Sequence, residues 1–302
     1  MRDLHQPVPA NKQNNQSEND STEGKTKFVT TQKCGYGKFR SFRTITGEEM
    51  RLNEFPWMVA IFSRSSMGKL EYLGGGSLIH ESVILTAAHL LLKFSPEQLV
   101  IRAGGHDILK TTRQQRRATN VIIHEELNAD WLIIALIVVS RAFKMTDAVN
   151  TICLPPQGIH TNEGTMCTSG GWSKNTINYN GIYHATPKKI QLPIVDQGNC
   201  EAILRITGLG PFYSLHDSLI CAGGGRLDTY KGDGGSPLFC RIPYGMRRFY
   251  QTGIAAGMTG RGEMLPGLYV NVAYFSDWIR QQLRFIKKRM RLENILPYEF
   301  FF

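Results

Sequence analysis

Lys231-Gly232-Asp233-Gly234-Gly235-Ser236-Pro237-Leu238 sets three glycines, one acid and one hydroxyl in a short span that ends on proline and leucine. A glycine-rich cluster of this kind separates one strand from the next. Upstream, Leu85-Thr86-Ala87-Ala88-His89 sets a histidine at the end of an apolar run. Around these two stretches the chain alternates short apolar runs with Gly, Asn and Pro clusters. Trp57–Phe62, Ser82–Leu85, Leu99–Arg102, Ile133–Val139, Lys189–Val195 and Thr252–Ala256 all read as strands. Many short strands without long helices predict a barrel or sandwich. From Tyr274 to about Arg291 the period changes to that of a helix, with Phe275, Trp278, Ile279, Leu283 and Ile286 on one side. The opposite side carries Arg280, Arg284, Lys287, Lys288 and Arg291, a face that is solvated or meets acidic surfaces.

A chain of 302 residues holds one large all-β domain with extensions. The formal charge of +10 invites a nucleic-acid reading, but no nucleic-acid motif accompanies it, and a basic secreted protein is expected instead. Trp131–Val139 is far too short to span a bilayer. The six cysteines show no CxxC pair and no Cys/His cluster at zinc spacing, so no metal site is expected. Six cysteines allow 15 pairings, among which the residues alone do not choose. Residues 1–33 are rich in Asn, Gln, Ser, Lys and Glu, and are expected to be a disordered segment. They contain two glycosylation sequons, Asn15-Gln16-Ser17 and Asn19-Asp20-Ser21.

The turn at 231–238 resembles the GDSGGPL nucleophile turn of the chymotrypsin/trypsin serine proteases, and Thr86-Ala87-Ala88-His89 resembles that family's TAAH segment. Asn53-Glu54-Phe55-Pro56-Trp57 is similar to the run that begins the family's first strand. The resemblance covers about Thr44 to Leu283. It implies two six-stranded antiparallel β-barrels closed by a C-terminal α-helix, followed by a basic helical extension over 284–302. It also implies the disulfides Cys34–Cys153, Cys167–Cys240 and Cys200–Cys221, hence an oxidising, extracellular setting. The opening Met1–Gln6 carries no apolar signal region, and the cysteine pattern outweighs that.

The same resemblance puts the family's catalytic positions on unsuitable residues. Acyl transfer by this route needs a hydroxyl nucleophile, a base, and a carboxylate that orients the base. His89 stands as the base. Gly234 stands where the family has its serine. Ile133, in Leu132-Ile133-Ile134-Ala135-Leu136-Ile137, stands where it has its aspartate. Asp130 lies three residues too early in a strand to substitute. Ser236 lies two residues beyond the nucleophile position, in a turn that aims it elsewhere. Two bridges of most relatives have lost both partners, at Gly74 with Leu90 and at Tyr230 with Arg261, which predicts a looser cleft at both places.

The remaining positions follow the same resemblance. Asp228 falls at the floor of the specificity pocket, Gly267 on one wall and Met258 on the other, where Met258 would plug the entrance. Arg43 stands before the activation cleavage, Thr44 would become the new terminus, and Asp233 would pair with its ammonium. Cys34-Gly35-Tyr36-Gly37 resembles the linker that follows the clip domain of arthropod immune proteases, although residues 1–33 hold no cysteine and no clip domain is expected in them. The expected protein is a secreted, catalytically inactive homologue, without cofactor, that assists proteases or prophenoloxidase of an extracellular cascade. The rival is an active endopeptidase of unusual geometry; a basic surface-binding protein acting through its last helix is a further one.

Overall fold

The computed structural model describes residues 34–38, 48–108, 110, 114–125, 134–172, 183–224, 234–243, 248–257 and 265–295. A two-residue strand, β1 (Glu48–Glu49), comes first. Then β2 (Met58–Arg64), β3 (Leu70–His80), β4 (Val83–Thr86), β5 (Leu99–Ala103), β6 (Gln114–Ile123) and β7 (Ala135–Val139) close a barrel in the order β2-β3-β4-β7-β6-β5. The second half contains β8 (Met166–Gly171), β9 (Lys188–Val195), the short helix α1 (Gln197–Leu204), β10 (Leu219–Ala222), β11 (Pro237–Arg241), β12 (Phe249–Gly257) and β13 (Gly267–Asn271). Its strands run β9-β10-β13-β12-β11-β8, and the β8–β9 pairing closes a second six-stranded antiparallel barrel, with β1 added at β9. Helix α2 (Ser276–Ile295) ends the described chain.

The barrels explain why several strands read as continuous apolar runs rather than alternating ones. In β2, Val59 and Ile61 point into the first barrel, whereas Met58, Ala60 and Phe62 join a cluster shared by both barrels and α2. In β7, Ala135, Ile137 and Val139 face inward, and Leu136 and Val138 face that shared cluster. A strand covered on both sides has no need of a polar face. Between the barrels lie Phe55, Trp57, Phe239 and Phe249, all buried, with Phe55–Phe239 ring centroids 4.7 Å apart and Trp57–Phe239 centroids 5.1 Å apart. A buried hydrogen bond also crosses here, from Ser77 Oγ of β3 to Gln251 Oε1 of β12 at 2.5 Å.

The helix expected over Tyr274–Arg291 begins two residues later and runs four further, with Phe275, Ile279 and Ile286 buried and Trp278 and Leu283 partly so. The strand expected from Ile133 is β7 from Ala135; Ile133 itself lies outside the described residues. The linker at Cys34 packs against the second barrel: Gly35 N–H donates to Thr151 O, Phe249 N–H donates to Gly35 O, and the Arg248 guanidinium lies 5.2 Å from the centre of the Tyr36 ring. The N-terminal segment 1–33 lies outside the described residues.

Where β3 ends, His80 Nδ1 accepts the Ser82 N–H at 3.3 Å, which requires that nitrogen to be unprotonated. Burial and the nearby charge of Lys287 on α2 hold the His80 imidazole below its ordinary value, with Glu81 opposing. The unfolded chain therefore takes up the proton first as pH falls through about 6.5, and the folded state loses stability there. Above that pH both states are neutral at this residue and it contributes no slope. We expect Tm to drop on acidification from about pH 8 to about pH 5.5, and less steeply in His80→Asn, which keeps an acceptor. Identical slopes in the two proteins would contradict this.

Candidate functional site

The loop between β4 and β5 and the turn before β11 meet where the two barrels face each other. His89 lies in the single turn Ala88–Leu90, half-buried, directly after the fully buried Thr86 and Ala87. Gly234 is part-exposed, whereas Gly235 and Ser236 are buried. The turn is pinned on both sides: Gly75 N–H of β3 donates to Gly234 O at 3.0 Å, Gly235 N–H donates to Ala255 O at 2.9 Å, and Ala255 N–H donates to Ser236 O at 2.8 Å. Thr86 Oγ1 donates in turn to Gly75 O at 2.8 Å, tying the histidine segment to the same point of β3.

This geometry assigns a direction to each residue of the turn. A Cβ built on Gly234 would lie 3.2 Å from His89 Nε2 and 3.5 Å from Leu90 Cδ2. Position 234 therefore faces the imidazole, and a hydroxyl one bond further out would fall within hydrogen-bonding reach of it. Gly235 has φ +77°, a left-handed conformation, and a Cβ there would lie 2.5 Å from Gly75 O; only glycine fits. The Ser236 hydroxyl is fully buried, has no hydrogen-bond partner among the described residues, and lodges against Gly75. Side-chain truncation to glycine at Gly74 and Gly75 is what lets β3 pass this close to the turn. Sequence reasoning missed that role, and the signal for it was the Gly74-Gly75-Gly76 run.

The pair expected to have lost a disulfide, Gly74 with Leu90, does lie side by side: a Cβ on Gly74 would meet Leu90 Cδ1 at 2.7 Å. The space beside Gly74 is occupied by the leucine side chain. Tyr230 and Arg261 lie outside the described residues, as do Arg43, Thr44, Asp130, Ile133, Asp228, Asp233 and Met258. Gly267 opens β13, buried and paired with Ala222 of β10. The structure thus brings together His89 and Gly234 among the residues singled out above.

Disulfides link Cys34 to Cys153, Cys167 to Cys240 and Cys200 to Cys221. The first spans 119 residues and fastens the N-terminal linker onto the second barrel. The second bridges β8 and β11, directly after the turn. No helix among the described residues is long and apolar enough to cross a membrane. Also among the described residues, no group of His, Cys, Asp and Glu is arranged to hold a metal ion.

A buried ion pair lies where the chain enters the first barrel. Lys189 Nζ sits 2.6 Å from Glu54 Oε1, with side chains 5% and 3% exposed. Glu54 Oε2 also accepts the Arg51 N–H at 2.8 Å, and Glu48 of β1 lies 3.6 Å from the same ammonium. The pair joins Asn53–Trp57 to β9, elements far apart in sequence, and nothing in the local pattern announced it.

Two closed barrels, a closing helix, and a histidine facing a glycine-rich turn between them define a trypsin-type domain. The trypsin family model matches residues 44–279, and the chain belongs to that family. Among individual proteins it is similar to phenoloxidase-activating factor 2 of Galleria mellonella, 41% identical over 248 residues, or 76% of this chain and 81% of that one. It is also similar to inactive CLIP domain-containing serine protease A28 of Anopheles gambiae, 34% identical over 76% of this chain and 61% of that protein. Inactive CLIP domain-containing serine protease A8 of the same mosquito is 34% identical over 75% of this chain and 64% of that protein. The chain therefore spans less than two thirds of the length of the two mosquito relatives. Its group within the family is that of the clip-domain protease homologues.

Proposed function

We propose that this protein is a serine protease homologue without peptidase activity that acts by binding in an extracellular proteolytic cascade of the phenoloxidase-activating kind. The observation that carries the reading is the vacancy of chemistry at one point: the backbone that faces His89 Nε2 belongs to Gly234, which has no hydroxyl. The serine in the turn, Ser236, is fully buried, lodges against Gly75 of β3, and stands two residues beyond the position that faces the imidazole. In another serine protease, loss of the nucleophile alone costs on the order of 10⁶ in turnover. Ile133, taken as the replacement of the orienting aspartate, removes a second member of the triad.

The names of the similar proteins support the same reading: one is a phenoloxidase-activating factor, and two are called inactive. The three disulfides agree with an extracellular setting. In this account the scaffold presents loops to a protease or to prophenoloxidase, and cleavage after Arg43 frees Thr44 to pair with Asp233 and reset the loops around the turn. Asp228, Met258 and Gly267 then line a pocket that is a relic of substrate binding. The Cys34–Cys153 bridge keeps the severed segment attached after the cut.

The test is reconstitution. Protein cut after Arg43 is added to a purified active clip-domain protease and prophenoloxidase, and phenoloxidase activity is followed. We expect activity well above that of protease alone, and less with uncut protein. Equal activity with and without the cut protein contradicts the cofactor role; equal effects of cut and uncut forms contradict the switch.

A further inference from the structure

The helix that closes the fold continues sixteen residues past the region matched by the trypsin family model, which ends at 279, and six of the seven charged residues in this continuation are basic. Between Asp277 and Glu293 there is no acidic residue, while Arg280, Arg284, Lys287, Lys288, Arg289 and Arg291 all fall in that interval. Arg280 is engaged with the body of the protein, donating to Pro155 O at 2.7 Å and lying 3.8 Å from Asp277. Arg284, Lys287, Lys288 and Arg291 are exposed and have no salt bridge among the described residues.

Their spacing is i, i+3, i+4, i+7, so they form one stripe along the helix rather than a scatter around it. The opposite stripe, with Ile279 and Ile286 buried and Leu283 and Met290 partly so, packs on the shared core and fixes the basic stripe toward solvent. The stripe is about 10 Å long at the α-helical rise. Two of its pairs, Arg284 with Lys288 and Lys287 with Arg291, are like charges at i, i+4, an arrangement that disfavours the helix. The charge of Lys287 also depresses protonation of His80 across the gap to β3, so the repulsion reaches the barrel. An anion seated on the stripe relieves all of these repulsions at once. A straight row of cations without interleaved acids complements a straight row of anions, as a sulfated polysaccharide chain presents. Phe285 and Leu292, 58% and 49% exposed, stand beside the row and add only two apolar residues, too few to anchor a helix in a bilayer.

We propose that Arg284, Lys287, Lys288 and Arg291 form a binding ridge for a linear sulfated polysaccharide, independent of the turn at Gly234 and its chemistry. Binding of this kind is driven by release of counterions and falls steeply with salt.

The experiment uses the full chain on immobilised heparin, with dissociation constants for soluble heparin measured across a salt series. The variants are Arg284→Gln/Lys287→Gln/Lys288→Gln/Arg291→Gln and, separately, Phe285→Ala/Leu292→Ala, each checked for an unchanged Tm. We expect retention of the native chain, loss of affinity by about tenfold or more in the four-site variant, and a fall of roughly 3 in the slope of log affinity against log salt. The apolar double variant should bind heparin as the native chain does. Unchanged affinity in the four-site variant overturns the proposal. So does loss of binding in the apolar variant, or binding to phosphatidylserine vesicles without retention on heparin, either of which would assign this face to an apolar contact or a membrane.

Discussion

Replacing Gly234 by serine is expected to turn an unreactive turn into one that takes a fluorophosphonate label. The reason is geometric: a Cβ at this position lies 3.2 Å from His89 Nε2, closer than most Cβ contacts, so the imidazole gives by a few tenths of an ångström and the added hydroxyl lies within its reach. Labelling should be slow. The orienting carboxylate would still be missing at Ile133, and in a serine protease of unrelated fold with the same triad its loss alone costs about 3 × 10⁴ in turnover. Adding Ile133→Asp to Gly234→Ser should therefore raise labelling and peptide hydrolysis by about 10⁴, and His89→Ala in the same background should abolish both. The measurement is active-site labelling read by intact mass, on protein cut after Arg43. If the doubly restored protein stays unlabelled although folded, the turn does not present position 234 to the histidine as described.

The second large effect concerns stability. Glu54→Ala should lower unfolding free energy by about 3–5 kcal/mol, because it strands the Lys189 ammonium, 5% exposed, away from water. For a domain of this size that is a fall in Tm on the order of 10 °C. Glu48 remains near the lysine at 3.6 Å and offsets part of the loss. Replacing both partners, as Glu54→Leu/Lys189→Met, should recover most of the stability, since an apolar pair of similar volume removes the desolvation cost along with the attraction. Thermal unfolding of the three variants decides it. Equal losses in the single and double variants would mean that packing around residues 54 and 189, rather than their charges, holds this corner. The corner matters to the proposed switch: β1, four residues after Thr44, is held to β9 by Glu48–Lys189 pairing, and this limits how far a new terminus can reach.

Most of what positions the site was legible because it lies in short contiguous motifs. The turn and the histidine could be read from their resemblance to the motifs of the trypsin family, and the closing helix from the change of period after Tyr274. The elements that were not legible are those whose residues serve a distant partner. β3 contains Gly74-Gly75-Gly76, a run that disfavours a strand by propensity, yet the strand requires it because side chains there would strike Leu90, Ser236 and the Gly234 carbonyl. β6 begins Gln-Gln-Arg-Arg and was not among the strands read from the sequence, because its half-exposed course along β5 and β7 suits polar residues. Arg116, for example, stacks on Phe143 at 4.9 Å and donates to Ala142 O. The short helix α1 starts at the Asp196 cap, whose side chain accepts the Asn199 N–H, and it is too brief to show a period. The Glu54–Lys189 pair joins residues 135 apart, and no spacing rule links them. The leucine at position 90 shows the opposite case: the lost bridge was legible, but the side chain that fills its space was not.

The central claim is that this cleft performs no acyl transfer, and its most direct test is the native chain itself. Protein cut after Arg43 is incubated with a fluorophosphonate probe and, separately, with an arginine-containing peptide substrate, then analysed by intact mass and by product release. The account predicts no mass increase at any serine of the turn and no turnover above that of His89→Ala. Stoichiometric labelling, mapped to Ser236 or another hydroxyl and lost in His89→Ala, would contradict it: the buried serine would then have to leave Gly75 and face the imidazole, and the chain would be a working peptidase.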